Sequence, residues 1–409
     1  MKGHFLLLII IYFLHSSFFV PQPKPEIWGF FGHRLINRMA VFTLPPELFG
    51  FYRNHIDYIT EHAVDPDKRR YASKFEDIRH YIDLDHWGTY PYEKLTRDFE
   101  DDIIRHALWT TSNESGTDTL KTDIRNDTIN ITIPDSVPFV VSCDYPTFLT
   151  FWKKNIKPLY YEDLWLINKY DLDDLFHTDY FTRNKTDISI TDQFSKHGIL
   201  PYHLEEMMHK LTRAFEYKNH EQILRLSADI GHYIGDAHVP LHTTSNYNGQ
   251  LTGQHGIHAF WESRIPELLA TENYMFLTGK AVYIEDVRSF FWNTVLTSNK
   301  LVDEVLEKER RVSRQLDTDA LFCFEKRLQV TVKTQCPEFV NAYSDSMGSM
   351  VEDRMVYAVR ALGSCIITAW VNAGQPELPE FSTMTPQDSE ENTQSDIAPR
   401  EHENGDGRL

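Results

Sequence analysis

Cysteine is scarce in this 409-residue chain, with four at Cys143, Cys323, Cys336 and Cys365. None has the spacing of a thiolate metal site, which excludes a cysteine zinc site. Cys323 and Cys336 lie closest in sequence and are the expected pair in an oxidising compartment. Positive charge is also short: Lys and Arg total 41 against 60 Asp and Glu, a net charge of −19. That deficit argues against a basic groove tracking a nucleic-acid backbone. It does not exclude a nuclease, because bound cations add positive charge that a residue count omits. The tail concentrates the acid, with nine acids and two arginines in residues 376–409. Long apolar runs are missing beyond the start. Phe5–Leu14, behind the basic head Met1-Lys2, is shorter than the roughly 20 residues of a bilayer span and reads as a secretory signal. A signal peptide over 1–20 and a secreted or periplasmic protein are expected. No Ala-x-Ala site follows the run, so an uncleaved membrane anchor is the alternative.

What remains has the length and composition to bury a large core. Residues 28–87 read as helix, turn, helix and an extended approach to His80. The stripe Leu35, Met39, Phe42 marks the first helix, and Pro45-Pro46 stops it. Residues 88–195 break the helical pattern. Within them Ser112–Asp118 reads as a loop, and Thr128–Ile133 alternates like a strand that pairs as a hairpin with Thr119–Ile124. Helical periodicity resumes over Leu200–Tyr217 and His220–Ala237, then near 283–311 and 337–372. The apolar stripe Met347, Val351, Met355, Ala358, Leu362, Ile366, Trp370 reads as core. No internal repeat is present. The expected organisation is one helical domain over 21–374 with an insertion at about 88–195, and a disordered acidic tail over 375–409.

The chemistry lies in His232-Tyr-Ile-Gly-Asp236-Ala-His-Val-Pro-Leu-His242 and His258-Ala-Phe-Trp-Glu262. Residues four apart share a helix face, so His232 with Asp236, and His258 with Glu262, can grip an ion. Pro240 ends the first helix and turns His242 back. Nitrogen and oxygen donors in this number suit Zn²⁺, with bonds of about 2.0–2.2 Å. His255 is the rival to His258, but only His258 stands four before Glu262. Upstream stand Trp28-Gly-Phe-Phe-Gly-His33, Asp65 in His-Ala-Val-Asp-Pro-Asp, and His80 in Ile-Arg-His-Tyr-Ile-Asp. Asp67 is the competitor to Asp65. Alone, His33 or His80 would be an ordinary core or capping histidine. His203, His209, His220 and His238 read as surface or supporting residues, and Asp83 and Asp85 as carboxylates that orient ligand histidines.

This order of Trp, His, Asp, His, His-x-x-x-Asp, His, His-x-x-x-Glu resembles the trinuclear zinc site of the superfamily that joins zinc-dependent phospholipase C and P-one-type single-strand nucleases. The resemblance covers residues 28–262. It implies a mainly α single-domain multi-helix bundle with a trinuclear zinc cleft, here carrying an inserted loop and short-strand region. It assigns Asp65, His80, His232 and Asp236 to one zinc, and His242, His258 and Glu262 to a second. Trp28, His33 and Asp236 would hold a third. Asp236 then bridges two ions, which two carboxylate oxygens allow. In that family the Trp is the mature amino terminus; here Pro25-Glu26-Ile27 precede it.

The implied activity is phosphodiester hydrolysis by a zinc-bridging hydroxide attacking phosphorus in line. Asp65 and Asp236 are the catalytic carboxylates, Asp65 as a proton acceptor. Spacings around Trp28, Asp65 and His80 are similar to the nuclease branch, where Tyr81 would stack a base, Asp83 would hydrogen-bond it and Lys68 would meet phosphate. Glu262 and the short separation of His242 from His258 look more like the phospholipase branch. The expected substrate is therefore a phospholipid or a single-stranded nucleic acid, cleaved by a monomer. A noncatalytic zinc-dependent binding protein of the same fold is the alternative.

Overall fold

The computed structural model describes residues 30–70, 72–113, 116–134, 138–185, 187–327 and 330–379. The signal segment 1–20, Trp28 and the tail beyond 379 lie outside the described residues.

The His220–His238 helix is apolar or ligand-bearing on nearly every side, with an almost unbroken buried run from Ile223 to His238. A helix apolar all round must be surrounded. It packs against helices Phe30–Ala40, Leu200–Glu216 and Met350–Asn372. Its start is capped by Asn219, whose side chain accepts from the Gln222 amide at 3.0 Å. Met350–Asn372 has the length and composition to cross a membrane, but most of its apolar stretch is buried in this bundle. The expected stripe in the 337–372 region is core from Met347 to Ile366, with Trp370 partly buried, and the region splits into Pro337–Met347 and Met350–Asn372. The 283–311 region likewise divides into Val287–Asn299 and Val302–Gln315. In the first helix the buried face is His33, Ile36, Asn37 and Ala40, while Phe42 is exposed and ends up on a following 3₁₀ turn. The Leu35–Met39–Phe42 stripe only borders that face, because the helix docks through small and polar side chains.

The expectation of a mainly α bundle is corrected by the strands. A six-stranded antiparallel sheet in the order β4-β3-β2-β1-β6-β5 occupies the insertion, and the fold is mixed α/β. The strands are β1 Leu108–Asn113, β2 Gly116–Arg125, β3 Thr128–Ile133, β4 Phe139–Asp144, β5 Trp165–Ile167 and β6 Asp187–Thr191. The β2–β3 hairpin forms as expected, with Ile124 opposite Ile129. Asn126 and Asp127 turn it at φ 50° and 55°, the left-handed conformation a two-residue hairpin needs. Ser112–Asp118 is not a loop, since β1 and β2 run into it from both sides. Ile129, Ile131 and Ile133 of β3 and Ile188 and Ile190 of β6 face inward, alongside Trp109, Phe148, Trp152 and Trp165. The insertion shares one continuous apolar core with the helices. Its polar junction is Asp102, which accepts from the Thr96 and Arg97 amides and from the Tyr202 hydroxyl at 2.7 Å. A second sheet pairs β7 Phe322–Arg327 with β8 Val330–Gln335, and the Cys323–Cys336 disulfide spans the open end of this hairpin.

Candidate metal centre

His33 reaches the centre because two glycines let its helix approach. A Cβ on Gly231 would collide with Asn37 Oδ1, and one on Gly235 would lie 2.7 Å from His33 Nδ1. With both side chains absent, the His33 ring stacks on His232 at 4.0 Å between centroids. Asn37, one turn further, donates to the Ala228 and Ile59 carbonyls and fixes the crossing.

His232 donates from Nδ1–H to the Ala63 carbonyl at 2.9 Å. A carbonyl only accepts, so the proton sits on Nδ1 and the Nε2 lone pair faces inward. That Nε2 lies 3.1 Å from His80 Nδ1, 3.4 Å from Asp236 Oδ2 and 3.6 Å from Asp67 Oδ1. His80 Nδ1 is also 2.9 Å from Asp236 Oδ2. The Tyr233 ring meets His80 edge-on, and its hydroxyl donates to Glu76, which Arg69 and Arg79 neutralise.

His242 follows Pro240 on a 3₁₀ turn, and its carbonyl accepts from the Ile82 amide at 2.9 Å. That bond ties the His80 segment to the His242 segment. Asp85 secures the next residues by accepting from Thr244 Oγ1 and from the Ser245 amide and hydroxyl. His258 and Glu262 lie where a short α turn widens into a π turn, Phe260–Arg264. Pro266 accounts for the widening: it cannot donate to the Glu262 carbonyl four residues back, and its ring crowds that carbonyl. His258 Nε2 stands 2.7 Å from Glu262 Oε2 and 3.0 Å from His242 Nε2.

Among the described residues three donor groups result: His33, His232 and Asp236; Asp67, His80 and His232; His242, His258 and Glu262. Within each, the facing atoms all lie within 4.8 Å of one another. Two carboxylates join them. Asp236 turns Oδ1 toward His33 at 3.4 Å and His242 at 3.6 Å, and Oδ2 toward His80 and His232. Glu262 presents Oε1 to His33 at 3.0 Å and Oε2 to His242 and His258.

The donor set fits cations. Asp67, Asp236 and Glu262 bring three negative charges among buried histidines, an arrangement costly to bury without compensation. Burial, reinforced by Glu262 and Asp67, pushes the Asp236 carboxyl well above its ordinary range. Burial also drives His80 and His232 well down and His242 down to about 4, leaving them neutral donors. Burial opposes charge on His33 too, but its Glu262 hydrogen bond and the nearby Asp236 raise it to about 9. The carboxylates thus pull positive charge into the centre, which bound cations would supply. Metal ions can be held here by these His and Asp clusters.

Not every expected residue arrives. Asp65 faces away, pairing with His62 and, at 2.7 Å, with Lys68 Nζ; Asp67 takes its place. On the Asp65–Arg69 helix, residues two apart project about 200° apart, so both cannot face the histidines. Lys68 stays outside with Asp65 and more than half exposed. The cation beside the centre is Arg70, with Nη1 3.5 Å from Asp67 Oδ1 and Nη2 2.6 Å from Asp77. The sequence held a signal for it, since Asp67-x-x-Arg70 repeats the spacing of Asp65-x-x-Lys68. Tyr81 is packed rather than presented: its hydroxyl donates to the Lys196 carbonyl at 3.2 Å, and Gly198, at φ +85°, sits hard against it. Asp83 is buried near His197. His255 is exposed, and His238 is buried with Nδ1–H donating to the Ile234 carbonyl. A small cavity of about 30 Å³ lies against His33 and Glu262 and is otherwise walled mainly by apolar side chains such as Ile36, Trp261 and Met355. Compared with known proteins, the chain matches no family model and no curated protein.

Proposed function

We propose that the protein is a zinc-dependent hydrolase of phosphodiesters, and that its substrate is a phospholipid. The observation that carries the reading is the division of Asp236, whose two oxygens face different histidines of adjoining donor groups. A carboxylate so placed can serve two ions at once. The ordered pattern from His33 to Glu262 resembles the phospholipase C and nuclease superfamily and supports the same reading, with Asp67 standing where Asp65 was expected.

The nitrogen and oxygen donors suit Zn²⁺. When bound, zinc supplies a Lewis acid for phosphoryl oxygen and a water acidic enough to ionise near neutral pH. The chain's own residues do the rest. His232 is oriented by Ala63 and His80 is backed by Tyr233, so both rings are held before any ligand enters. Glu262 holds negative charge at the centre, Asp236 turns its two oxygens to different histidines, and Arg70 stands beside Asp67 at the edge. The choice of phospholipid over nucleic acid rests on Tyr81 and Asp83, the two residues that would recognise a base, being buried.

The test is metal content measured on the purified protein, followed by turnover of phosphatidylcholine, single-stranded DNA, RNA and a chromogenic phosphodiester, with and without chelator. Stoichiometric zinc and chelator-sensitive cleavage of the lipid are expected. A chain without stoichiometric metal overturns the proposal. A zinc-loaded chain that cleaves none of the four is a binding protein instead.

A further inference from the structure

The β7–β8 hairpin has no part in the chemistry, and its two faces differ sharply. Phe322 stands opposite Gln335, Phe324 opposite Lys333, and Lys326 opposite Thr331, so these residues share one face. On that face Phe324 is 74% exposed and Phe322 42%, with Lys326 and Lys333 also in solvent. Lys333 Nζ lies 4.6 Å from the Phe322 ring centroid. The opposite face is anchored. Glu325 pairs with Arg264 and Arg327, and Arg327 reaches Glu267 at 2.8 Å. All the acid of the hairpin is therefore neutralised on its inner side, and the outer face carries cations alone. This local sign is opposite to that of the chain as a whole.

We propose that this face docks the protein on an anionic phospholipid surface. Single exposed apolar residues need no explanation, but two neighbouring phenylalanines flanked by lysines do. Phenylalanine rings enter the headgroup boundary, while lysine stems lie along it and carry their ammonium groups to phosphate. The Cys323–Cys336 disulfide and the bonds of Arg264 to the Gln335 carbonyl brace the hairpin, so little ordering is lost on docking. Arg264 lies on the same π turn as Glu262, two residues on. Docking through this hairpin thereby fixes the metal centre relative to the lipid. The proposal rests on the phospholipid reading above, yet binding to a bilayer can be measured without any turnover.

The experiment is flotation of the intact, metal-loaded protein with vesicles of phosphatidylcholine alone or mixed with phosphatidylglycerol, beside hydrolysis of a soluble chromogenic phosphodiester. Wild type is expected to float with the mixed vesicles and far less with phosphatidylcholine alone. Phe322→Ser/Phe324→Ser and Lys326→Glu/Lys333→Glu are each expected to weaken that binding at least tenfold, since each lysine near an anionic surface is worth about fivefold. Hydrolysis of the soluble substrate stays unchanged in both, which also shows that the variants fold. Vesicle binding that the hairpin variants leave intact, or a wild type that does not float, overturns the docking role. So does a concentration-dependent dimer of the wild type that Phe324→Ser abolishes, because the face then belongs to a second copy. If soluble hydrolysis is absent while flotation follows the hairpin, the catalytic reading fails and the docking stands.

Discussion

His33 Nε2 lies 3.0 Å from Glu262 Oε1, although 229 positions separate them in the chain. The contact is possible because Gly235 leaves room for the His33 ring and Pro266 widens the turn that carries Glu262. The centre is thus built by helix approach as much as by ligand chemistry.

That approach can be blocked without touching a ligand. In Gly235→Ala the new methyl carbon would sit 2.7 Å from His33 Nδ1, so the ring or the helix must move. Overpacking of this kind costs about 1–3 kcal/mol. The variant is expected to bind less than the full metal complement and to unfold at lower urea. Metal analysis and denaturation curves check both, and unchanged metal content would show that the crossing tolerates a side chain.

Asp67 and Asp65 separate the structural from the sequence reading. Asp67→Asn is expected to lower metal affinity by about 100-fold or more, beyond the effect usual for an outer partner of a ligand. Asp65→Asn, which removes only a half-exposed pairing with His62 and Lys68, is expected to stay within about threefold of wild type. Competition with a chromophoric chelator measures the two directly. A reversed ranking would restore Asp65 to the centre.

Acid should destabilise the fold through histidines that hold no metal. Burial drives His203 down to about 4 and His238 down to about 3, against an unfolded value near 6.5. Both are neutral when folded, so the unfolded chain binds more protons between those limits. Their contribution is complete above pH 6.5 and is lost as pH falls toward 4 and 3. Urea midpoints of the chelated protein should decline from pH 7 to pH 4, and His203→Gln should flatten that decline. A decline as steep in His203→Gln as in the wild type would contradict the burial argument.

The insertion is held to the helices by Asp102, so its loss should be felt in stability rather than in the metal centre. Asp102→Ala strands the Thr96 and Arg97 amides and the buried Tyr202 hydroxyl. At about 1–3 kcal/mol for each unsatisfied group, a loss of roughly 3 kcal/mol or more is expected. Thermal unfolding measures it, while metal content should remain at the wild-type value.

Much of the centre was readable from spacing alone. His232 with Asp236 and His258 with Glu262 are local pairs, and a helical turn brings each together wherever it lies in the fold. The Cys323–Cys336 link and the β2–β3 hairpin were legible for the same reason, since their partners are close in sequence. The choice of Asp67 over Asp65 was not, because one helical register decides which of two carboxylates faces inward. The mixed α/β class was missed for a related reason. Strands of three to six residues, such as β5 and β6, carry little periodic signal, and β1 pairs with β6 across the whole insertion.

By itself, then, the chain determined which residue types could bind a cation and which of them lie on a common helical face. Tertiary structure decided which carboxylate joins them, which cation stands beside them, and that Tyr81 and Asp83 are packed away. The physical reason is range: helical periodicity acts over one turn, whereas burial and charge compensation are set by segments brought together across more than two hundred residues.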